Sequence, residues 1–276
     1  MNLVVLAEDV DSIALKNVAK LTGAREIVQI TPRSFRLVAA QAHPDLARNC
    51  AAGGLDYAWL PSGRQLRDFG LFVTDMDSTL INIECIDEIA DMQGLKAQVA
   101  QITEAAMQGE IDFRESLARR VSLLAGLPES ALGEVYAHRL QLNPGAERLV
   151  KGLQRAGIRT VLVSGGFTYF TERLKQRLGF DYAFANELEV LDGRLTGRVL
   201  GEIIDGAAKA NHLLRIRDEL GLQPHQVIAA GDGANDIPML NAAGFGVAFH
   251  PKAALRQVAD CCIEHSGLDG LLDLFG

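Results

Sequence analysis

With 276 residues, 48% of them hydrophobic and 22% charged, the chain reads as a globular protein larger than one small domain, neither disordered nor fibrous. Its formal net charge of −8 argues against a general nucleic-acid or anionic-membrane surface. No apolar stretch reaches the ~18 residues of a membrane span, and the opening "MNLVVLAEDVDS" lacks the basic region of a signal peptide.

Residues 1–67 read as a self-contained unit. "NLVVLA" is a predicted strand, "DSIALKNVAKLTG" a capped helix ending at Gly23, and "EIVQIT" and "SFRLVAAQ" two more strands. "HPDLARNCAAGG" is a short helix and "LDYAWLP" a last strand, before a linker marked by Pro61, Ser62 and Gly63. The order βαββαβ is the ferredoxin-like arrangement, in which two helices cover one face of an antiparallel sheet. It loosely resembles the amino-acid-binding modules of the ACT type. The glycine-rich turn usual after their first strand is replaced here by "EDVDS", which favours a folding or interaction role, with a homodimer through this unit as the assembly expected.

From residue 68 to 276 strands alternate with helices. "GLFVTD", "IRTVLVSGG", "DYAFAN", "QVIAAGDG" and "GFGVAF" are predicted strands, and "DCCIE" is a weaker sixth. Short uninterrupted apolar strands between helices indicate a doubly wound parallel sheet covered on both faces, an α/β fold. Between the first two, residues from about 82 to 142 show only helical periodicity, far more than a crossover needs, and form an expected helical cap. "ELEVLDGRLTGRVLGEII" carries Asp192-Gly193 between alternating runs and reads as a β-hairpin. Cys50, Cys85, Cys261 and Cys262 have neither zinc spacing nor the density of a disulfide framework, which suits small buried side chains in a reducing cytosol.

In an open parallel sheet, ligands bind at the carboxyl ends of the strands. Asp75 and Asp77 follow the first of these strands, Ser164, Gly165 and Gly166 the second, and Asp232, Asn235 and Asp236 the run "VIAAG". Taken singly, each is an ordinary turn. Together they bring four acids to one end of the sheet, where they would repel unless a cation neutralised them. Oxygen ligands without histidine suit a hard ion such as Mg²⁺. An EF-hand reading of "DMDSTLINIECI" fails, because its sixth position lacks Gly and its twelfth is Ile86.

"DMDSTLI", "VSGG", Lys209 within "GAAKANHLL", and "GDGANDIPML" resemble, in order, the four motifs of the haloacid dehalogenase superfamily of aspartate-nucleophile phosphatases. "IECIDEIA", "AMQGEIDFRESLARRV", "SGGF" and "DYAFANELEVLDGRLTG" resemble the phosphoserine phosphatases within it. The resemblance implies Asp75 as nucleophile and Asp77 as proton donor and acceptor. It implies Mg²⁺ on Asp75, the Asp77 backbone carbonyl and Asp232, with Asp236 one step behind and Asn235 orienting its neighbours. Ser164, the Gly165 amide and Lys209 would hold phosphate, the amides at a helix start. Glu84 and Arg120 would read the ammonium and carboxylate of O-phosphoserine, with Met107 and Phe113 as apolar lining. A different small phosphate, or an acceptor alcohol in place of water, would use the same acids, and a serine-sensing regulator would use the N-terminal unit. These readings stay open on sequence.

Overall fold

A computed structural model describes residues 1–275, the side chain of Met107 excepted, so the expected contribution of Met107 to an apolar lining lies outside the described residues. The chain starts with β1 (Asn2–Leu6), α1 (Ser12–Leu21), β2 (Glu26–Thr31), β3 (Ser34–Val38), α2 (Leu46–Ala52) and β4 (Asp56–Leu60). The Asp11 side chain caps α1, accepting from the Ile13 amide at 2.9 Å. The strands lie in the order β2-β3-β1-β4, all antiparallel, as the ferredoxin-like pattern requires. The strand expected through "SFRLVAAQ" stops at Val38, because Ala39 turns into the left-handed region at φ 57°.

The second half holds β5 (Leu71–Thr74), the cap helices α3 (Cys85–Met92), α4 (Lys96–Met107), α5 (Phe113–Ser122) and α6 (Ser130–His138), then α7 (Ala146–Arg155) and β6 (Arg159–Phe167). There follow α8 (Thr168–Leu178), β7 (Tyr182–Leu191), β8 (Arg194–Leu200), α9 (Gly206–Glu219), β9 (Val227–Gly231) and α10 (Ile237–Ala242). The chain closes with β10 (Phe245–Phe249), α11 (Ala253–Arg256), β11 (Cys261–Ile263) and α12 (Gly270–Phe275). Strands β11, β10, β9, β5, β6 and β7 run parallel in that spatial order. The predicted strand "DYAFAN" and the following hairpin are one continuous element, since β7 runs unbroken into its turn with β8. Asp192 at φ 50° and Gly193 at φ 72° supply the two left-handed residues that such a turn needs.

The two halves share one sheet. β4 pairs antiparallel with β11, Ala58 opposite Cys261 and Tyr57 opposite Cys262, and this joins the small sheet and the large one into eleven strands. Asp56, almost fully buried, fixes the junction by accepting from the amides of Glu264 at 2.8 Å and Ser266 at 2.9 Å. Alternation along β1 sends Leu3 and Val5 toward α1 and α2, and Val4 and Leu6 into the main core with Leu271, Leu274 and Phe275 of α12. Helices therefore cover both faces of the N-terminal sheet, where the ferredoxin-like expectation covers one. That is why "NLVVL" is apolar at every position past its first.

Candidate active site

β5 ends in the acids because its four residues are fully buried and the chain must turn out at Asp75. Asp75 still belongs to the ladder through its amide, which donates to Ala230 O at 2.9 Å. Ser78 then bends the backbone through φ 56°, and the chain leaves for the cap. The base of the cap is clasped. Ile81 bridges Leu142, and the Asn143 side chain donates to the carbonyls of Thr79 at 2.8 Å and Ile81 at 3.0 Å.

Lys209, from the first turn of α9, is 1% exposed. Its Nζ lies 2.8 Å from Asp75 Oδ2 and 2.8 Å from Asp236 Oδ1. Burial alone would lower its pKa, but Asp236 and Asp75 outweigh that and hold its ammonium above the usual lysine range. The other Asp236 oxygen accepts from the amides of Asp232 and Gly233, both at 3.1 Å. Asp75, Asp232 and Asp236 each bring one buried oxygen within 4.8 Å of the others. Burial, then the Asp236 charge, push the Asp75 carboxyl well up, with Lys209 opposing. Three buried carboxylates against one buried lysine leave surplus negative charge, and the donors are all oxygen. That set fits a hard cation.

Asp77 stands outside this cluster. Its Oδ1 accepts from the Cys85 amide at 3.3 Å, and burial, then the nearby Glu84 carboxylate, push its pKa up to about 7. A carboxyl at that value can both give and take a proton near neutrality. Ser164, at 1% exposure, accepts from the Gly166 amide at 2.9 Å. The segment Ser164–Phe167 continues β6, and α8 starts only at Thr168. The phosphate-facing amides expected at a helix start therefore lie on a strand end, because Asn186 holds Gly165 O at 2.8 Å and keeps the segment in the sheet. Both glycines are needed for close approach. A Cβ on Gly165 would come 3.0 Å from Phe113 Cζ, and one on Gly166 would come 2.8 Å from Asp77 Oδ2.

That geometry places Phe113 of the cap over the Ser164–Gly166 segment. Glu84, preceding α3, accepts from Ser78 Oγ at 2.9 Å. Arg120 is half-buried on α5, where Asp87, Glu84 and Asp77 are the charges that act on it. Asn235 is exposed at the rim, its carbonyl against Gly206. Lys252 adds a second lysine beside the acids. Its Nζ lies 3.0 Å from Asp232 Oδ2 and 4.0 Å from Glu84 Oε1, and a lone lysine after "FHP" carries no local pattern that could have marked it. Thr79, whose hydroxyl donates to Asp232 Oδ1 at 3.4 Å, was hidden inside "DSTL" in the same way.

A profile of the haloacid dehalogenase-like hydrolase family matches residues 72–241, the span that holds all of these groups except Lys252. The chain belongs to that family. This haloacid dehalogenase-like hydrolase is 55% identical over 216 residues to a phosphoserine phosphatase of Albidiferax ferrireducens, covering 76% of the chain and 91% of the relative. Among solved structures, a probable phosphoserine phosphatase of Vibrio cholerae superposes with a TM-score of 0.87 at 37% identity, over 99% of this chain and 86% of that one. A substrate-bound phosphoserine phosphatase complex superposes at 0.70 with 41% identity, over 75% of this chain and 99% of that one. A second profile, of a domain of unknown function, matches residues 3–46 of the hydrolase. No described helix is long and apolar enough to cross a membrane.

Proposed function

We propose that the chain is a Mg²⁺-dependent phosphoserine phosphatase, which hydrolyses O-phosphoserine to serine and inorganic phosphate. The observation that carries the reading is the division of labour between two acids two residues apart. Asp75 lies in the carboxylate cluster against Lys209, while Asp77 lies beside Gly166 and beneath the cap. The substrate follows from the phosphoserine phosphatases to which the chain is similar.

Asp75 attacks phosphorus, forming an aspartyl-phosphate as the bond from phosphorus to the serine oxygen breaks. Asp77 gives its proton to that oxygen, then takes one from the water that cleaves the new bond. Lys209, Ser164 and the Gly165 amide hold phosphate oxygens as charge redistributes. Asp75, the Asp77 backbone carbonyl and Asp232 would hold Mg²⁺, backed by Asp236, and the ion would offset the repulsion between nucleophile and phosphate. Glu84 takes the substrate ammonium, Arg120 its carboxylate, Phe113 its apolar part, and Asn235 steadies the loop. The four free cysteines support a cytoplasmic setting. Part of the same proposal is a homodimer through the N-terminal unit, whose outermost strand β2 leaves Ile27 39% exposed, with light scattering as its test.

A phosphate-release panel of small phosphomonoesters with Mg²⁺ tests the assignment. O-Phosphoserine should be the preferred ester, and Asp75→Asn should lower its turnover by at least about 10³-fold. Absence of phosphoserine turnover overturns the reading, and equal turnover by Arg120→Ala overturns the substrate assignment.

A further inference from the structure

Asp87 has no part in the chemistry above, yet its surroundings are unusual. It lies in the first turn of α3, three residues after Glu84, so the two carboxylates share one side of the helix. Asp87 Oδ1 is buried and has no hydrogen-bond partner. An acid at a helix start is favourable by itself, but that benefit needs no buried oxygen. A buried carboxylate oxygen left without a donor is costly, and such atoms in native structures call for an explanation.

Arg120 shows the complementary shortage. Its Nε donates to Ser116 O at 3.4 Å, and no ion pair closes on its guanidinium among the described residues. Burial lowers its pKa, and the first charge opposing this is Asp87, ahead of Glu84 and Asp77. Burial raises Asp87, and the first charge opposing that is Arg120. Each group is thus incompletely satisfied and feels the charge of the other, Asp87 on α3 with an unpartnered buried oxygen and Arg120 on α5 with one long bond to a carbonyl.

We propose that Asp87 is the positioning residue for Arg120, closing onto one edge of its guanidinium when substrate binds and leaving the other edge to the substrate carboxylate. This rests on the phosphoserine reading above. The planar guanidinium can take two carboxylates at once, each bidentate along its own edge, a fixed geometry that the point charge of a lysine does not offer. The arrangement also keeps Arg120 off Glu84. A direct pair between those two would consume both groups that read the zwitterion, whereas Glu84, held by Ser78 Oγ at 2.9 Å, stays available for the ammonium.

The test compares O-phosphoserine with O-phosphoethanolamine, which keeps the ammonium and lacks the carboxylate, in full-length protein with Mg²⁺. Asp87→Asn should raise KM for phosphoserine about tenfold, leave its kcat within about threefold, and leave KM for phosphoethanolamine unchanged. In an Arg120→Ala background, Asp87→Asn should add nothing further. Asp87→Glu, which keeps the charge one methylene further out, should raise KM in the same direction by less, and it stands in if the Asn variant melts early. Equal changes for both esters, or a full effect without Arg120, would overturn the proposal and leave Asp87 a structural residue. A wild-type enzyme that does not prefer phosphoserine would overturn the substrate reading, and this inference with it. Preference in the wild type with an unmoved KM in Asp87→Asn overturns this inference alone.

Discussion

At the scale of single residues, the site depends on Lys209 to keep its acids together. Lys209→Met would leave Asp75 and Asp236 buried without their counter-charge, so chelator-treated protein should lose about 3 kcal/mol or more in urea unfolding. The sign with pH follows from the raised pKa. A group whose pKa rises on folding stabilises fully below its unfolded value, about 10.4 for lysine, and loses that contribution as pH climbs through the folded value. Melting between pH 7 and 9 should therefore show no Lys209 transition in the wild type. In the sequence this lysine is hard to see, because a single cation at a helix start usually faces water. Only its place between "VSGG" and "GDGANDIPML" points inward, and burial comes from packing that no local pattern encodes. Asp75 and Asp77 are the opposite case, since two acids that break an apolar run announce themselves. Asp87 falls between, plain in "IDEIA" yet without any mark there of its buried oxygen.

At the scale of elements, the strand that carries Ser164 runs through both glycines, as "IRTVLVSGG" predicts. "SGGF" has turn composition, and a helix does follow, but Asn186 ties Gly165 into the sheet and moves the helix start to Thr168. The amides thus lie in the register break between Val163 and Phe167, where that of Gly166 donates to Ser164 Oγ. Gly166→Ala tests the fit at this strand end. Its Cβ would press on Asp77 Oδ2 at 2.8 Å and Met76 Cε at 3.0 Å, displacing the proposed proton carrier. A misplacement of about 1 Å can cost about 10²-fold in rate, so kcat should fall by that order while the melting temperature moves little. A rate within twofold of wild type would show that Asp77 tolerates the shift. The parallel strands themselves were legible, because each is an apolar run flanked by glycine or acid. "DCCIE" was the faintest, being only three residues long, and what sustains β11 is pairing on both sides.

At the scale of the whole molecule, the seam between β4 and β11 is the feature the sequence left out. Periodicity describes a strand and its faces, not which distant strand lies beside it. A linker at Pro61–Gly63 suggests two bodies, and we propose 1–67 and 68–276 as folding units, with the cap inserted at about 82–142. Beyond the seam, the junction is held by charge. Arg33 on the N-terminal unit lies 2.8 Å from Glu8, 2.7 Å from Asp269, and in contact with Asp273, and both aspartates are nearly fully buried. Asp269 keeps Arg148 at 2.8 Å, so Arg33→Met strands the buried Asp273 and should cost about 3 kcal/mol, read as an earlier denaturant midpoint with kcat unchanged. A chain of residues 68–276 should keep phosphatase activity within a fewfold, since every proposed site residue lies within it, and should melt lower. Loss of activity without loss of fold would assign the N-terminal unit a catalytic share.

The shared sheet also governs how copies of the chain meet in solution. A strand at the border of a sheet offers unpaired amides and carbonyls to any neighbour, and native proteins blunt or hide such borders. Two separate sheets here would expose four. Joining them through β4 and β11 extinguishes two at once. Of the remaining pair, β8 lies against the cap helix α5, leaving β2 as the open flank. The N-terminal unit is thus a cover for the catalytic sheet as much as an attachment to it, and aggregation in crowded protein should start where that cover is removed.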